Sequence, residues 1–252
     1  MNNQENGILW TDYTWNPITG CTKIRDGCKN CYAEAKSKQL RSSKGYDWFN
    51  PFKVTFHPDR LCHPKGMKKG KKIFVCSMGD FFHADVNVLW QMDVYDVVKN
   101  TPQHTYQFLT KRPDRMKVFF NSIPRLNNVW TGVSVSNQKD ADELLPILQE
   151  VNSNCHFVSV EPILGPVDIL YANFTGSGSL EAAEGLDWVI CGGESGISRR
   201  APLQEWIENL RDQCKAARIP FFYKGRGDKE GDELNGRQYH EFPKVEQSGR
   251  LF

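Results

Sequence analysis

The stretch that decides the fold of this chain is residues 104–161, HTYQFLTKRPDRMKVFFNSIPRLNNVWTGVSVSNQKDADELLPILQEVNSNCHFVSVE. Its β-rich runs lie at 104–110, 128–135 and 156–161, and its helical patterns lie at 113–121 and 138–150. The β-rich runs are apolar on both faces, which is typical of strands that are covered on both sides. Strands that alternate with helices in this way predict parallel strands joined by crossover helices.

The same alternation continues on both sides of this stretch. Further β-rich runs lie at 8–15, 72–77, 187–192 and 219–223, and further helical patterns lie at 31–41, 89–100 and 203–217. In the last helical segment Leu203, Trp206, Ile207 and Leu210 recur at helical spacing, so one stripe is predicted to pack inward. We therefore predict an α/β fold that is a complete or partial (β/α) barrel of about 6–8 parallel strands.

The length of the chain, 252 residues, predicts one domain, because α/β barrels of roughly 200 to 250 residues fold as a single unit. We find no internal repeat and no linker long enough to separate two domains. Two stretches do not fit the alternation and are predicted to be insertions, near 42–71 and 170–186. Residues 225–252 are rich in glycine and charge and predict an irregular tail. The prediction is thus a single barrel-like domain over 1–252.

Composition indicates where the protein works. Lys and Arg number 32 against 30 for Asp and Glu, so the net charge of +2 provides no global attraction to a polyanion. The longest apolar runs, such as 73–78, are far shorter than the roughly 20 residues that span a bilayer, and the polar residues MNNQENG at 1–7 lack the basic-then-apolar pattern of a signal peptide. We expect a cytoplasmic protein with no membrane partner. Thiols stay reduced in the cytosol, so the eight cysteines are predicted to be ligands, catalysts or core residues.

Three of these cysteines lie in one short segment, GCTKIRDGCKNCYAE at 20–34. Six residues separate Cys21 from Cys28 and two separate Cys28 from Cys31, so three thiolates can reach one centre from a single loop. The loop follows a predicted strand and enters a predicted helix, which places it at the carboxyl ends of the strands, where barrel active sites lie. The segment therefore predicts a metal centre held by Cys21, Cys28 and Cys31. Cys76, Cys155, Cys191 and Cys214 fall within predicted strands or a helix and are expected to be core thiols.

Two kinds of centre fit three thiolates. A structural zinc site is normally four-coordinate and needs a fourth ligand, for which Cys62, His57 and His63 are the candidates. A four-iron cluster held by three thiolates leaves one iron open to bind a reactant. The cysteines alone leave both interpretations open.

Eight motifs spread over nearly the whole chain carry a resemblance to a known family. They are WTDYTWNPITGC, GCKNCYAE, FVCSMGDFFH, FLTKRP, GVSVSNQ, SVEPILGP, VICGGESG and NGRQYHEFP. Together they resemble a phage-associated family of three-cysteine-motif proteins, whose members are regarded as radical S-adenosylmethionine-like. The resemblance implies a barrel of that type. One departure is that most of that superfamily has three residues between its first two cysteines, whereas this chain has six.

The resemblance also implies cofactors and the residues that bind them. The implied cofactors are a [4Fe-4S] cluster and S-adenosylmethionine, which an electron donor and the open iron would cleave to methionine and a 5′-deoxyadenosyl radical. In the superfamily a glycine-containing, often acidic segment after one strand binds the amino group of S-adenosylmethionine, and here that strand is followed by Met78-Gly79-Asp80. The residues predicted to bind this cofactor are Tyr32, Ser77, Gly79, Asp80, Ser134 and Glu161.

Polar residues also follow the other predicted strands. If the strands are parallel, all these ends meet at the edge where the cysteines lie. Glu161 ends the apolar run FVSVE without a break, and Lys111 and Glu194 also follow predicted strands. We predict catalytic roles for Lys111, Glu161 and Glu194.

Two functions compete at this point. The leading prediction is a radical S-adenosylmethionine enzyme whose substrate, by analogy with phage-encoded enzymes, is a nucleobase, a nucleotide or a nucleic acid. The alternative is a zinc-bearing nucleic-acid-binding protein without catalysis. In that protein the lysine-rich loop 65–72 would contact phosphates, and Tyr46, Trp48 and Phe49 would stack on bases. The chain is too long and too regularly α/β for a zinc finger alone, which favours the enzyme.

Overall fold

Seven strands of the predicted alternation form one parallel sheet in the computed structural model, which describes residues 8–170, 185–195, 198–227 and 231–244. In chain order the strands are β1 (Tyr13–Trp15), β2 (Ile18–Thr19), β3 (Thr55–Phe56), β4 (Lys72–Val75), β5 (Thr105–Thr110), β6 (Val129–Val135), β7 (Cys155–Val160), β8 (Trp188–Cys191), β9 (Phe221–Tyr223), β10 (Glu233–Leu234) and β11 (Arg237–Gln238). The large sheet has the order β1-β4-β5-β6-β7-β8-β9, and every neighbouring pair in it is parallel.

Five α-helices accompany the sheet in the described residues. They are α1 (Tyr32–Gln39), α2 (Val88–Lys99), α3 (Pro113–Asn121), α4 (Gln138–Gln149) and α5 (Gln204–Ala217). Local sequence sets several of their starts: the side chains of Asn87 and Asn137 accept backbone N–H bonds at the first turns of α2 and α4, and Pro113 opens α3. Among the described residues no helix is long and apolar enough to cross a membrane.

The predicted α/β fold is confirmed at the level of its architecture. The sheet curls into a half-barrel, so the predicted complete or partial barrel is a partial one in the described residues. The strand order follows the chain order, as expected when each crossover helix returns the chain to the next position. All five predicted helices are present, with ends that differ from the predicted ones by at most two residues.

The two faces of the sheet bury different residues. One face packs on the helices through aliphatic strand residues such as Val133 and Val160 and through helix residues such as Leu144 and Leu210. On the opposite face, which we call the inner face, the buried cluster contains no helix residue from the described ranges. Because side chains alternate along a strand, each strand contributes every second residue to the inner face.

The inner face is filled by aromatic rings near the amino ends of the strands. Trp188 contacts four of these rings, with centroids 5.8 to 6.1 Å apart. The rings around it belong to Trp10, Trp130, Phe157 and Phe222, and all of them are buried. Gly132 leaves room for one of them, because a Cβ atom there would lie 2.6 Å from the ring of Phe157. The amino end of the half-barrel is therefore closed by packed side chains.

Two features outside the alternation were not predicted in detail. In the predicted insertion near 42–71, β3 pairs antiparallel with β2, which lies before α1 in the chain. In the predicted irregular tail, residues 231–244 contain the β10–β11 hairpin and then lie antiparallel to β9, where the N–H of Tyr223 donates to Tyr239 O at 2.8 Å. This part of the tail is ordered because its backbone groups pair with an edge strand. The predicted insertion near 170–186 lies mostly outside the described residues.

Candidate functional site

The carboxyl edge of the sheet gathers the polar strand-end residues, as the parallel arrangement requires. Lys111 Nζ donates to Ser134 Oγ at 2.6 Å, and Ser134 Oγ donates to the carbonyl oxygen of Glu161 at 2.9 Å. The Glu161 carboxylate pairs with the ammonium of Lys224, which follows β9. Lys111, Glu161 and Lys224 are half-buried, and Ser134 is buried. Four strands thus contribute one connected polar network at the open end of the half-barrel.

The cysteine loop, residues 20–31, crosses this edge from one side of the sheet to the other. Its first residue, Gly20, donates its N–H to Met78 O at 2.9 Å after β4. Gly27 lies on the end of β6, since a Cβ atom there would come within 2.2 Å of Ser136 Oγ. At its far end Asn30 reaches Glu194, which follows β8. The loop therefore covers the carboxyl ends of β4, β6 and β8.

The glycine predicted to let backbone approach the cofactor, Gly79, has a packing role in the structure. A Cβ atom at Gly79 would lie 2.9 Å from Gly20 O, and the two glycines form a parallel bridge. Gly20 itself has φ of +88°, and a Cβ there would lie 2.1 Å from Lys53 O. Three backbone segments therefore meet where only glycine fits.

Arg112 ties the start of the cysteine loop to the sheet. Its guanidinium donates to Asp80 Oδ2 at 2.7 Å, to Cys21 Sγ at 3.4 Å and to Thr22 O at 3.0 Å. Asp80 is buried and also accepts hydrogen bonds from Thr110 Oγ1 and from the N–H of Phe82. The carboxylate that the sequence assigns to a cofactor ammonium is thus engaged by three protein donors. An ammonium can pair with Asp80 only if Arg112 moves.

The thiol of Cys21 is protonated at neutral pH in this arrangement. Burial raises its pKa to about 11, and the negative charge of Asp80 adds to the effect, whereas Arg112 opposes it. Cys28 makes a further small contribution in the raising direction, so the two thiols are close enough to interact. A metal that binds here displaces a proton.

A second tie lies near the middle of the loop. Arg25 Nη1 donates to Asp140 Oδ1 and to Glu143 Oε2, both at 2.8 Å, in the first two turns of α4. Asp140 is buried and also accepts the N–H of Ser136 at 3.0 Å. The loop is therefore fixed to the same helix start that follows β6.

A third tie is made by Glu194, one of the predicted catalytic residues. It is buried and accepts hydrogen bonds from the Arg200 guanidinium at 2.5 and 3.0 Å and from Asn30 Nδ2 at 2.8 Å. Burial alone would raise the pKa of Glu194, but the hydrogen bonds from Arg200 and Asn30 outweigh it and lower the pKa to about 2. Arg200 also donates to Asp26 O at 3.1 Å. Glu194 is placed to hold the cysteine loop.

Tyr32, directly after Cys31, joins the loop to the centre of the site. Its ring is about half exposed, while its hydroxyl lies inside and donates to Ser77 O at 2.5 Å. Burial and then the negative charge of Glu161 raise the pKa of Tyr32, so its hydroxyl remains a donor. Ser77 in turn donates to Asn16 Oδ1 at 3.2 Å. The structure thus brings Tyr32, Ser77 and Glu161 together, three residues predicted to bind the cofactor.

The three loop cysteines are free thiols of intermediate burial, which leaves each accessible to a ligand. Over the described ranges no group of three or more His, Cys, Asp and Glu side chains is placed to hold a metal ion. The donor chemistry of three thiols fits an iron–sulfur cluster, and binding requires the thiols to turn towards a common centre. The four core cysteines, Cys76, Cys155, Cys191 and Cys214, are buried, as predicted.

The candidate zinc ligands of the insertion differ in their burial and in their partners. His57 is buried, its Nε2 lies 2.8 Å from Thr19 Oγ1, and burial together with Arg60 lowers its pKa to about 4. Cys62 and His63 are exposed on a short 3-10 segment and its end. Tyr46, predicted to stack on bases, is instead buried with its ring 6.3 Å from that of His57.

Sequence reasoning did not identify the residues that fix the loop. Arg25, Asn30, Arg112, Asp140 and Arg200 are polar residues in loops or at helix starts, where a solvated position is the ordinary expectation. His83 also contacts the cysteine loop, since its Nε2 lies 2.8 Å from Thr22 Oγ1. The signal that could have indicated Arg112 is its position directly after a strand, beside Lys111.

Comparison with known proteins gives one family. Residues 5–243 match the family described as Protein of unknown function (DUF5131). Searches of curated proteins and of solved structures gave no significant match.

Proposed function

Because the chain belongs to the DUF5131 family, whose function is unknown, we propose its activity from its own residues: a radical S-adenosylmethionine enzyme that holds a [4Fe-4S] cluster with Cys21, Cys28 and Cys31. One observation carries the proposal. Three accessible thiols lie in a single loop that is fixed across the carboxyl edge of a parallel half-barrel. This is the edge where α/β barrels place their active sites.

The ties of the loop support a built site. Arg112 holds the start of the loop, Arg25 its middle, and Glu194 with Arg200 its end. Each tie pairs opposite charges in a half-buried or buried position. A loop whose supporting residues are themselves fixed by hydrogen bonds keeps its backbone path while the thiols turn towards a ligand.

The number and type of donors favour a cluster over a single ion. Zinc in a closed structural site needs four ligands on one atom, whereas each thiolate of a four-iron cluster binds a different iron. Three cysteines leave one iron without a protein ligand, which is the position where the amino and carboxylate groups of S-adenosylmethionine would bind. When bound, the cluster supplies the electron that cleaves S-adenosylmethionine.

The protein residues have separate tasks in this proposal. Arg112 places a positive charge beside Cys21, which stabilises a thiolate. Glu161 and Ser134 lie in the polar network at the centre of the edge, where the Glu161 carboxylate would accept hydrogen bonds from the ribose hydroxyls and the Ser134 hydroxyl would pair with them. Lys111 fixes the Ser134 hydroxyl by a hydrogen bond, and Lys224 fixes the Glu161 carboxylate by an ion pair. Asp80 influences Cys21 through its ion pair with Arg112. It would contact the cofactor directly only if the Arg112 side chain moved away.

Metal content tests the first half of the proposal. We expect protein purified without oxygen, or reconstituted with iron and sulfide, to be brown and to contain about four irons and four sulfides. Replacement of Cys21, Cys28 or Cys31 by Ala should abolish this content. Cys62→Ala is the matched control, because Cys62 is an exposed thiol outside the loop. Stoichiometric zinc with no iron would favour the zinc-bearing alternative.

Binding and cleavage of S-adenosylmethionine test the second half of the proposal. S-adenosylmethionine should perturb the electron paramagnetic resonance spectrum of the reduced cluster, and dithionite should then yield 5′-deoxyadenosine slowly. Asp80→Asn should retain the iron and lower the yield, since Arg112 loses a charged partner. A four-iron cluster that neither binds nor cleaves S-adenosylmethionine would leave only a structural or electron-transfer role.

A further inference from the structure

The loop of residues 41–53 presents two large aromatic side chains to solvent. Trp48 is 57 % exposed and Phe49 is 91 % exposed. Single exposed apolar residues are ordinary, but two adjacent aromatic rings form a surface that water does not favour. No fold-stabilising role is visible for a ring as exposed as that of Phe49.

The backbone of this loop holds the two rings in a defined turn. Asp47 Oδ1 accepts the N–H groups of Phe49 at 2.8 Å and Asn50 at 2.7 Å. The N–H of Lys53 then donates to Asn50 O at 3.1 Å. The rings are thus displayed by local hydrogen bonds, in which Asp47 provides the acceptor.

The same loop touches the start of the cysteine loop. The N–H of Cys21 donates to Phe52 O at 3.2 Å, and Gly20 packs against Lys53 O. Phe49 is three residues from Phe52, so their Cα atoms are at most about 11 Å apart. The aromatic pair therefore lies on a loop whose backbone is bonded directly to the start of the cysteine loop.

A cleft opens beside the aromatic pair. It has a volume of about 710 Å³, and its walls include Asp47, Lys53, Phe56 and Trp90. The rings of Phe56 and Trp90 stack with centroids 5.3 Å apart and planes 13° apart. The cleft thus provides further aromatic surface, from Phe56 and Trp90, and the cation of Lys53.

The charge around the rings is positive. Residues 36–53 contain the cations Lys36, Lys38, Arg41, Lys44 and Lys53 and the single anion Asp47. Arg41 lies over the Trp48 ring at 5.6 Å from its centroid. The lysine-rich loop 65–72 is elsewhere, because Lys72 begins β4 and Lys71 contacts His104 at the amino ends of the strands. Lys36 and Lys38 belong to α1, where Lys38 pairs with Glu34 at 2.8 Å, so the cations of the aromatic loop itself are Arg41, Lys44 and Lys53.

We propose that the loop of residues 41–53 binds single-stranded nucleic acid and leads it to the cysteine centre. Bases stack on Trp48 and Phe49, and phosphates pair with Arg41, Lys44 and Lys53. Exposed rings interleaved with cations suit a strand whose bases are unpaired, since every base offers a π face and every nucleotide a negative charge. This inference rests on the proposed function only in naming the strand as the substrate of that centre.

Fluorescence anisotropy with a labelled oligonucleotide of mixed sequence tests the binding. We expect Trp48→Ala with Phe49→Ala to weaken binding by at least tenfold, because each stacked base contributes substantially to affinity. Arg41→Ala with Lys44→Ala should lower the slope of log affinity against log salt by about 1.4, at about 0.7 for each phosphate contact.

Matched controls separate this surface from general charge or apolarity. Lys68→Ala with Lys69→Ala removes the same charge from the lysine-rich loop, and Leu89→Ala removes an apolar side chain that is 71 % exposed. Both controls should keep the affinity within twofold. Equal loss in the controls, or no binding of single strands by the wild type, overturns the inference.

Two further readouts keep the outcomes distinct. Iron content is measured on every variant. If the wild type binds the oligonucleotide but cannot be loaded with iron, the proposed function is overturned and this inference stands. Sedimentation of the wild type and of the Trp48→Ala and Phe49→Ala variant shows whether the rings bind a second copy of the chain. A change in mass without oligonucleotide binding contradicts the nucleic-acid assignment.

Discussion

The two ends of the inner face of the half-barrel are built from the same strands and behave in opposite ways. At the amino end Trp188 and Phe222 are buried among aromatic rings. At the carboxyl end, one step of the strand alternation beyond Phe222, Lys224 pairs with Glu161 in a half-buried network. The comparison teaches that one sheet face can separate the residues that stabilise the fold from those that form the site.

The largest effect is expected at the amino end. Trp188→Ala removes a fully buried ring from the centre of the cluster and the donor to Glu241 O. We expect the free energy of unfolding in urea to fall by about 3 to 5 kcal/mol. Trp48→Ala is the control, since this tryptophan is exposed and should change stability by less than about 0.5 kcal/mol. Similar losses in both variants would contradict the proposed role of the cluster.

A smaller loss is expected where a side chain is added to the same cluster. Gly132→Ala places a Cβ atom against the Phe157 ring and should cost about 1 to 3 kcal/mol of unfolding free energy. Phe157→Leu in the same chain should recover part of the loss because the smaller side chain makes room. Gly66→Ala, at an open position, is the control. No recovery in the double variant would show that the strain arises elsewhere.

At the carboxyl edge, Glu194 should make the stability of the protein depend on pH. The pKa of Glu194 is lowered from 4.5 to about 2 in the folded protein, so its contribution to stability is present above pH 4.5 and is lost as the pH falls towards 2. Glu194→Gln should therefore flatten the dependence of unfolding free energy on pH over this window. Glu150→Gln, at an exposed carboxylate, serves as the control. An unchanged pH dependence in Glu194→Gln would contradict the ion pair with Arg200.

The smallest effect on stability is expected at the centre of the site. Glu161→Gln breaks a half-buried pair with Lys224 and should change the free energy of unfolding by at most about 1 kcal/mol. The yield of 5′-deoxyadenosine should nevertheless fall, because Glu161 is proposed to contact the cofactor. Circular dichroism during urea unfolding and chromatography of the product measure the two quantities on the same preparation. A large loss of stability in Glu161→Gln would contradict the expected difference between the amino and carboxyl ends of the inner face.

Much of the fold could be predicted because its signals are local. Runs that are apolar on both faces, such as the one that became β6, indicate strands of a covered parallel sheet. Asn87, Pro113 and Asn137 stand at the starts of their helices, where such residues are favoured. The β2–β3 pair and the β10–β11 hairpin were missed because strands of two residues are too short to show a periodic pattern.

The site could be predicted in part. Strand ends that meet at one edge follow from parallel topology, so Lys111, Ser134 and Glu161 could be grouped before the structure was known. The pairs that fix the cysteine loop could not, because residues such as Arg25 and Asp140 are 115 positions apart. Which partner a long side chain finds depends on the path of the loop, and a single sequence contains no signal for that path.

Residues 231–244, which lie along β9, have a consequence for the behaviour of many molecules together. An edge strand offers unpaired N–H and C=O groups to any other strand that approaches it. Here the N–H groups of Tyr223 and Glu241 donate across the junction between β9 and this segment, and Trp188 fastens it from the inner face through Glu241 O. The segment thereby covers this edge, so that the sheet of one molecule cannot grow into the next through β9. We expect a chain without this segment to aggregate during expression before any change in its activity can be measured.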